Sequence, residues 1–247
     1  MRSCAVVGIL ALWAACPAPA RAERVRPVGA GGPLGTARLS DERRLTRWAN
    51  PIAADPVRAL PRRGARLLGR LRVETEDGLP DVAVVLRSRR VRATTWLKVR
   101  APGGRGRPNG LVGWVPRDAL GGFRHVTTAL VVDLAALRAT LRRDGRVVWS
   151  SSVGIGAPGT PTPRGRYFIR ERLRPDAPGG LYGPVAFGTS AYANLSDWPG
   201  GSVVGIHGTD QPQLIPGRPS HGCIRVPNPA VLKLAGLLRI GTPIRIT

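Results

Sequence analysis

Apolar positions along this chain come in short bursts separated by glycine and proline, a rhythm that predicts strands and turns more than long helices. Between Val57 and Gly122 the bursts read VAVVL, TTWLKVRAP and LVGWVPRDAL. The turn RPNG between the last two, with Asn109-Gly110 at its tip, predicts a tight hairpin. From His125 onward, VVDLAALRATLRRDGRVVWSSSVGIG puts Leu134, Leu137, Arg138 and Leu141 at helical spacing. Alternation argues against a helix there: Leu137, Ala139 and Leu141 share one side, and Arg138, Thr140 and Arg142 the other. Asp144-Gly145 then supplies a turn into Val147 to Trp149, so the segment predicts a hairpin. Pro175 to Pro184 reads as a loop, followed by strands around Val185 to Phe187 and Val203 to His207.

These patterns divide the chain. Residues 23–55 are rich in Gly, Pro and Arg with little apolar periodicity and predict a poorly ordered linker without a core. Residues 56–122 predict a small β-barrel, and residues 125–247 a second, larger β domain with few short helices, so the fold class is mainly β. The chain is long enough for two such cores, at 247 residues with 43% hydrophobic content, and its 32 glycines and 24 prolines suit short strands.

The first 22 residues have a different character. An arginine, an apolar run from Cys4 to Ala15 and a small-residue ending at Ala20-Arg21-Ala22 predict a secretory signal peptide cut after Ala22. The run is short for a membrane anchor, and Trp13 weakens a lipoprotein reading around Cys16. Cleavage would leave no stable membrane span, and Cys223 would be the one cysteine kept. A lone thiol carried into an oxidising compartment is a candidate nucleophile, the alternative being a buried structural cysteine.

Charge adds a preference for polyanions. Thirty-eight basic residues against 15 acidic ones give +23. The arginines are scattered, no zinc-finger or helix-turn-helix spacing appears, and the chain reads as exported. Nucleic acid is therefore not the expected partner; anionic wall polymers or membrane lipids are, unless the excess only reflects Arg-rich composition.

Gly154, Gly156 and Gly159 match a dinucleotide fingerprint, but Pro158, Pro161 and Pro163 prevent the helix that would hold a pyrophosphate. The informative segment is IHGTDQPQLIPGRPSHGCIRVPN, Ile206 to Asn228. An imidazole can take a thiol's proton, and His207 ends an apolar strand, a rigid mounting for a base. The Pro- and Gly-rich loop between can bring Cys223 back to face it. Gly222 permits close approach of a carbonyl, and the backbone N–H groups of Gly222 and Cys223 suit an oxyanion hole. Zinc is the competing use of His207, His221 and Cys223, with Asp210 the sole nearby fourth ligand, so no metal is expected. His221 reads equally as a structural hydrogen-bonding residue, and Asp210 as a turn cap after His207. Tyr182, Tyr192 and Trp198 fit either packing or a cover over the site.

The pieces TPTPRG, IHGT, SHGCIR and LLRIGTPIRI together resemble the L,D-transpeptidase (YkuD) family, over about Val126 to Thr247. The run WLKVRAPGGRGRPNGLVGWVPRDAL resembles the closing strands of bacterial Src-homology-three-type barrels. The first resemblance implies a β-sandwich catalytic domain without cofactor, acting on peptidoglycan stem peptides. It implies Cys223 as nucleophile, His207 as base, the Gly208 carbonyl orienting that imidazole, His221 and Ser220 shaping the site, and Arg225 bracing it or binding substrate. The implied activity is an exported transpeptidase that works through a thioester in the cell wall or a periplasm-equivalent space. The same thioester resolved by water would make a carboxypeptidase or endopeptidase. A non-catalytic wall-binding protein, using the barrel and the positive charge, is the reading from another class.

Overall fold

The computed structural model describes residues 35–104, 110–193 and 202–247. The predicted signal peptide with Cys4 and Cys16, Asn109 of the predicted turn, and Trp198 lie outside the described residues. What is described is mostly strand, gathered into two sheets.

The first sheet contains β1 (Thr36–Arg38), β2 (Thr46–Ala49), β3 (Pro56–Arg58), β4 (Leu67–Arg70), β5 (Ala83–Val91), β6 (Thr94–Ala101), β7 (Leu111–Pro116) and β8 (Arg124–Val126). Their order is β4-β3-β7-β6-β5-β2-β8, with β1 also on β5. The meander β5-β6-β7 follows the apolar bursts seen in the sequence, and one turn of 3-10 helix, Arg117–Ala119, closes it. Leu97, Val99 and Ala101 alternate inward on β6 and meet Val85, Leu111 and Val115 in a core.

Two boundaries need correction. The stretch expected to be a linker up to residue 55 contributes β1 and β2, and Thr46, Trp48 and Ala49 are buried. Four residues of alternation, Thr-Arg-Trp-Ala, are too few to stand out in an Arg-rich segment. At the other end β8 pairs with β2, so the first sheet extends beyond the expected 56–122 and the chain changes sheets at Thr127, not at 125.

The second sheet contains β9 (Thr128–Asp133), β10 (Arg138–Arg143), β11 (Arg146–Ser152), β12 (Gly154–Gly156), β13 (Gly165–Leu173), β14 (Ala186–Tyr192), β15 (Val203–His207), β16 (Gly217–Ser220), β17 (Ile224–Arg225) and β18 (Pro243–Ile246). Their order is β11-β10-β9-β18-β13-β14-β15-β17-β12-β16. The hairpin expected from alternation is β10-β11, with Ala139 and Leu141 buried and Arg138 and Arg142 exposed. Asp144 and Gly145 turn it at φ 51° and 84°, the left-handed pair a two-residue hairpin needs. Among the described residues there is one α-helix, α1 (Asn228–Leu237), which opens after Pro227 and buries Val231, Leu234 and Ala235. The indole N–H of Trp149 on β11 donates to Ala230 O at 3.1 Å and fixes where the helix lies. Among the described residues no helix is long and apolar enough to cross a membrane.

The two sheets share a buried seam. Trp48 of β2, Val82, Val84 and Val126 pack on Phe168 of β13 with Ile240 alongside. A Cβ on Gly241, which sits at φ 82°, would meet Trp48 Cδ1 at 2.2 Å, so only glycine fits there. Beside this apolar patch the buried Arg170 of β13 makes a bidentate pair with Asp81 at 2.9 and 2.8 Å. Its remaining nitrogen donates to Glu76 Oε2 and to the Tyr192 hydroxyl, both at 3.0 Å. Burial works to lower the Arg170 pKa, but the bonds and charge of Asp81 outweigh it and the net shift is upward. Glu171, next along β13, is also buried, because a bulge between Ile169 and Glu171 breaks the alternation. Burial pushes its carboxyl up to about 7, against the Thr75 hydroxyl and the Arg170 charge, which pull it down.

Candidate active site

The strand that carries His207 is apolar at Val203, Val204 and Ile206 and buried along its whole length. It can be buried because β14 and β17 cover its two edges with ladder hydrogen bonds. At its end His207 O accepts the N–H of Val226 at 2.8 Å, and Gly208 N–H donates to Val185 O at 3.3 Å, so the backbone around the imidazole is clamped on two sides. His207 Nδ1 lies 2.6 Å from Gly208 O. A carbonyl only accepts, so the hydrogen-bond network assigns the proton of the neutral ring to Nδ1 and leaves Nε2 as its basic nitrogen.

After Gly208 the chain loops out through a 3-10 turn, Pro212–Leu214, and a cis Ile215-Pro216 bond, and returns as β16. It then turns at Gly222, which sits at φ 118°, and enters β17. Because β17 runs parallel to β15, with Ile206 opposite Ile224 and His207 opposite Arg225, Cys223 comes to rest beside Gly205. The Gly205 N–H donates to Cys223 Sγ at 3.3 Å. The 15 residues between them are thus folded back so that the sulfur, just ahead of β17, and the imidazole, at the end of β15, lie on neighbouring segments.

The turn before the sulfur is held by hydroxyls. Ser220 Oγ donates to Cys223 O at 2.6 Å and accepts the Gly222 N–H at 3.2 Å. Thr162 Oγ1 donates to Gly222 O at 2.9 Å while accepting the Gly156 N–H, also at 2.9 Å. Ala157 N–H, at 2.8 Å, and Thr160 Oγ1, at 3.3 Å, both donate to Ser220 O. The expected oxyanion role of the Gly222 N–H therefore requires it to exchange its bond to Ser220.

Arg225 is buried opposite His207 and Gly154, and its guanidinium donates to Gln211 Oε1 at 3.3 Å. His221 and Asp210 are exposed, with His221 two residues before the sulfur in sequence. Cys223 and His207 are both fully buried, so a substrate reaches them only if what lies over them moves. The Tyr182 ring, half-buried, stands edge-on to the His207 ring at 5.0 Å between centroids and 69°. Among the described residues no group of three His, Cys, Asp or Glu could hold a metal ion.

Three contributors carry no assignment in the sequence reading. Thr162 lies in TPTPRG, where its threonines had no assigned use. Tyr182 stands where packing and covering are equally plausible from sequence. Asn228 Oδ1 accepts the Thr209 N–H at 2.8 Å and crowds Gly208 and Gly183, where added Cβ atoms would sit 2.3 and 2.4 Å from it. It ties the segment after His207 to the start of α1, and a lone Asn after a proline gives no sign of that.

Comparison with a family model bears on the second sheet. Residues 127–246, 120 positions and just under half of the chain, match the family model of the YkuD L,D-transpeptidase catalytic domain. A Bacillus subtilis (strain 168) protein named "Putative L,D-transpeptidase YkuD" is 33% identical over 117 residues, 47% of this chain and 64% of that protein. Its Bacillus licheniformis namesake is 35% identical over 118 residues, 48% of this chain and 64% of that protein. The chain thus spans a little under two thirds of these relatives' length. A crystallised variant of an Enterococcus faecium L,D-transpeptidase is 28% identical, with 49% of each chain covered and a TM-score of 0.39. Residues 127–246 are therefore similar in sequence to L,D-transpeptidase catalytic domains of the YkuD family.

Proposed function

We propose that this protein is an exported cysteine transpeptidase acting on peptidoglycan stem peptides. The observation that carries the reading is the parallel pairing of β15 with β17, which sets the Cys223 sulfur beside the strand that ends in His207. In this reading His207 Nε2 takes the thiol proton and the sulfur attacks the carbonyl of a stem-peptide residue. A thioester forms, the C-terminal amino acid leaves as an amine, and the proton on His207 passes to it. The amine of a second stem then attacks the thioester, forming the cross-linking amide and releasing the thiol. Gly208 O keeps the imidazole oriented throughout, and Arg225 lies against the same site.

Burial of both groups supports transfer to an amine over loss to water, since a covered thioester is shielded. Incubation of the purified protein with tetrapeptide muropeptides, read by mass spectrometry, tests the reading. Cross-linked dimers are expected, and none with Cys223→Ala. Tripeptides without dimers would identify a carboxypeptidase instead. Turnover unchanged in Cys223→Ala would leave only a non-catalytic wall-binding role.

A further inference from the structure

We propose that the cleft between the first sheet and the outer face of the second, remote from Cys223, is a binding site for a phosphate-bearing polyanion. The cleft has a volume of about 340 Å³, near the small end of ordinary ligand pockets, and is lined by Arg43, Arg44, Arg142, Arg166, Arg245 and Glu42. Five guanidiniums face one carboxylate, a formal +4, and that carboxylate is already taken: Glu42 accepts from Arg100 at 2.9 and 3.2 Å.

Scattered surface charge, in which this chain is rich, does not look like this. Arg166 on β13 and Arg245 on β18 stand directly opposite each other in the antiparallel register. Like charges in that position repel, and Glu42 stands 3.7 Å from Arg166. A bound anion would turn this repulsion into attraction. The wall contributed by the first sheet is rigid before any ligand arrives. Asp41 Oδ1 accepts the backbone N–H groups of Arg43, Arg44 and Leu45 at 2.8, 2.8 and 3.0 Å, which fixes the loop that presents Arg43 and Arg44. Arg142, opposite Ala129 across β10 and β9, completes the ring from the far side.

Guanidinium forks match tetrahedral phosphate oxygens two at a time, and an array of five suits several linked phosphates better than one. A concave cleft also admits a slender polymer more readily than a flat bilayer. The ligand would touch both sheets at once, placing the polymer on a surface that does not include the thiol.

Calorimetric titration of the full chain with tripolyphosphate at about 150 mM salt tests this. Saturable one-to-one binding is expected, weakened roughly tenfold or more in Arg166→Gln/Arg245→Gln and in Arg43→Gln/Arg44→Gln. The exposed pair Arg62→Gln/Arg63→Gln should change it by less than about twofold. Removing Arg166 and Arg245 removes a repulsion, so the ligand-free melting temperature of that variant should not fall. Equal weakening by the Arg62/Arg63 pair would overturn the site in favour of diffuse charge. Inorganic phosphate matching tripolyphosphate mole for mole would overturn the extended ligand. Association with phosphatidylglycerol vesicles without tripolyphosphate binding would overturn the cleft in favour of a membrane surface.

Discussion

The sulfur of Cys223 accepts a hydrogen bond from the backbone N–H of Gly205, two residues before His207 on the same strand. Residues two apart on a strand share a face, so this bond fixes the thiol against the strand that also holds the imidazole. It requires a close approach of the segment entering β17 to β15 at Gly205. Gly205→Val is expected to slow acylation of Cys223 by a carbapenem, an acylating inhibitor typical of the resembled family. Intact-protein mass spectrometry reads the adduct over time, and an unchanged rate would remove Gly205 from the site.

The Thr162 hydroxyl is bonded to both Gly156 and Gly222. Thr162→Val keeps the shape and deletes both bonds, leaving two buried backbone groups unsatisfied at a cost of about 1–3 kcal/mol. Thermal unfolding should register that loss. Acylation of Cys223 should slow as well, because the turn before the sulfur loosens, whereas Thr140→Val on the distant hairpin should leave the rate alone.

Tyr182 stands half-exposed over a fully buried imidazole. Tyr182→Ala should speed alkylation of Cys223 by iodoacetamide without lowering the melting temperature much. A thiol equally slow in the variant would mean that the cover lies elsewhere.

Arg170 is a buried cation held by Asp81 and Glu76 of the first sheet's long connection. Arg170→Met leaves those carboxylates without their partner and should cost about 3–5 kcal/mol in denaturant unfolding. A loss below about 1 kcal/mol would show that the seam tolerates the unpaired charge.

Glu171 gives the stability a pH dependence of known sign. Burial pushes its folded pKa up to about 7, above the ordinary 4.5 of a glutamate, so the folded state favours the protonated form. The stability this contributes is fully present below about pH 4.5 and is lost as the pH rises through about 7. Glu171→Gln should therefore raise the melting temperature at about pH 8 and flatten its fall between about pH 5.5 and 8. The gain, after allowance for screening, is on the order of 2 kcal/mol. A variant that melts lower than the parent at alkaline pH would contradict the assignment.

Much of this architecture was legible in the residues because it is local. Alternation at Ala139 and Leu141 and the Asp144-Gly145 turn specify the β10-β11 hairpin, and the apolar run ending in His207 specifies β15. Cys223 and His207 stood out as chemistry-bearing residues in an otherwise Gly- and Pro-rich stretch. The parts that were not legible depend on partners far away in sequence. Nothing local marks Arg170 and Glu171 as buried; the connection bearing Thr75, Glu76 and Asp81 meets them from about 90 positions earlier. Thr162 reads as a loop residue until Gly222 arrives from 60 positions on. β2 was hidden because one tryptophan among arginines sets up no visible period, and its burial is decided by Gly241 at the other end of the chain.

That contact between Trp48 and Gly241 limits how the gene can be rearranged. A cut at Thr127, the natural seam by topology, would strand an indole on one fragment and bare the Phe168 and Ile240 surface on the other. The two halves therefore cannot be shuffled independently. Any recombinant that swaps the leading half must bring a matching tryptophan and the Glu76 and Asp81 carboxylates, or rewrite Gly241 and Arg170 to suit.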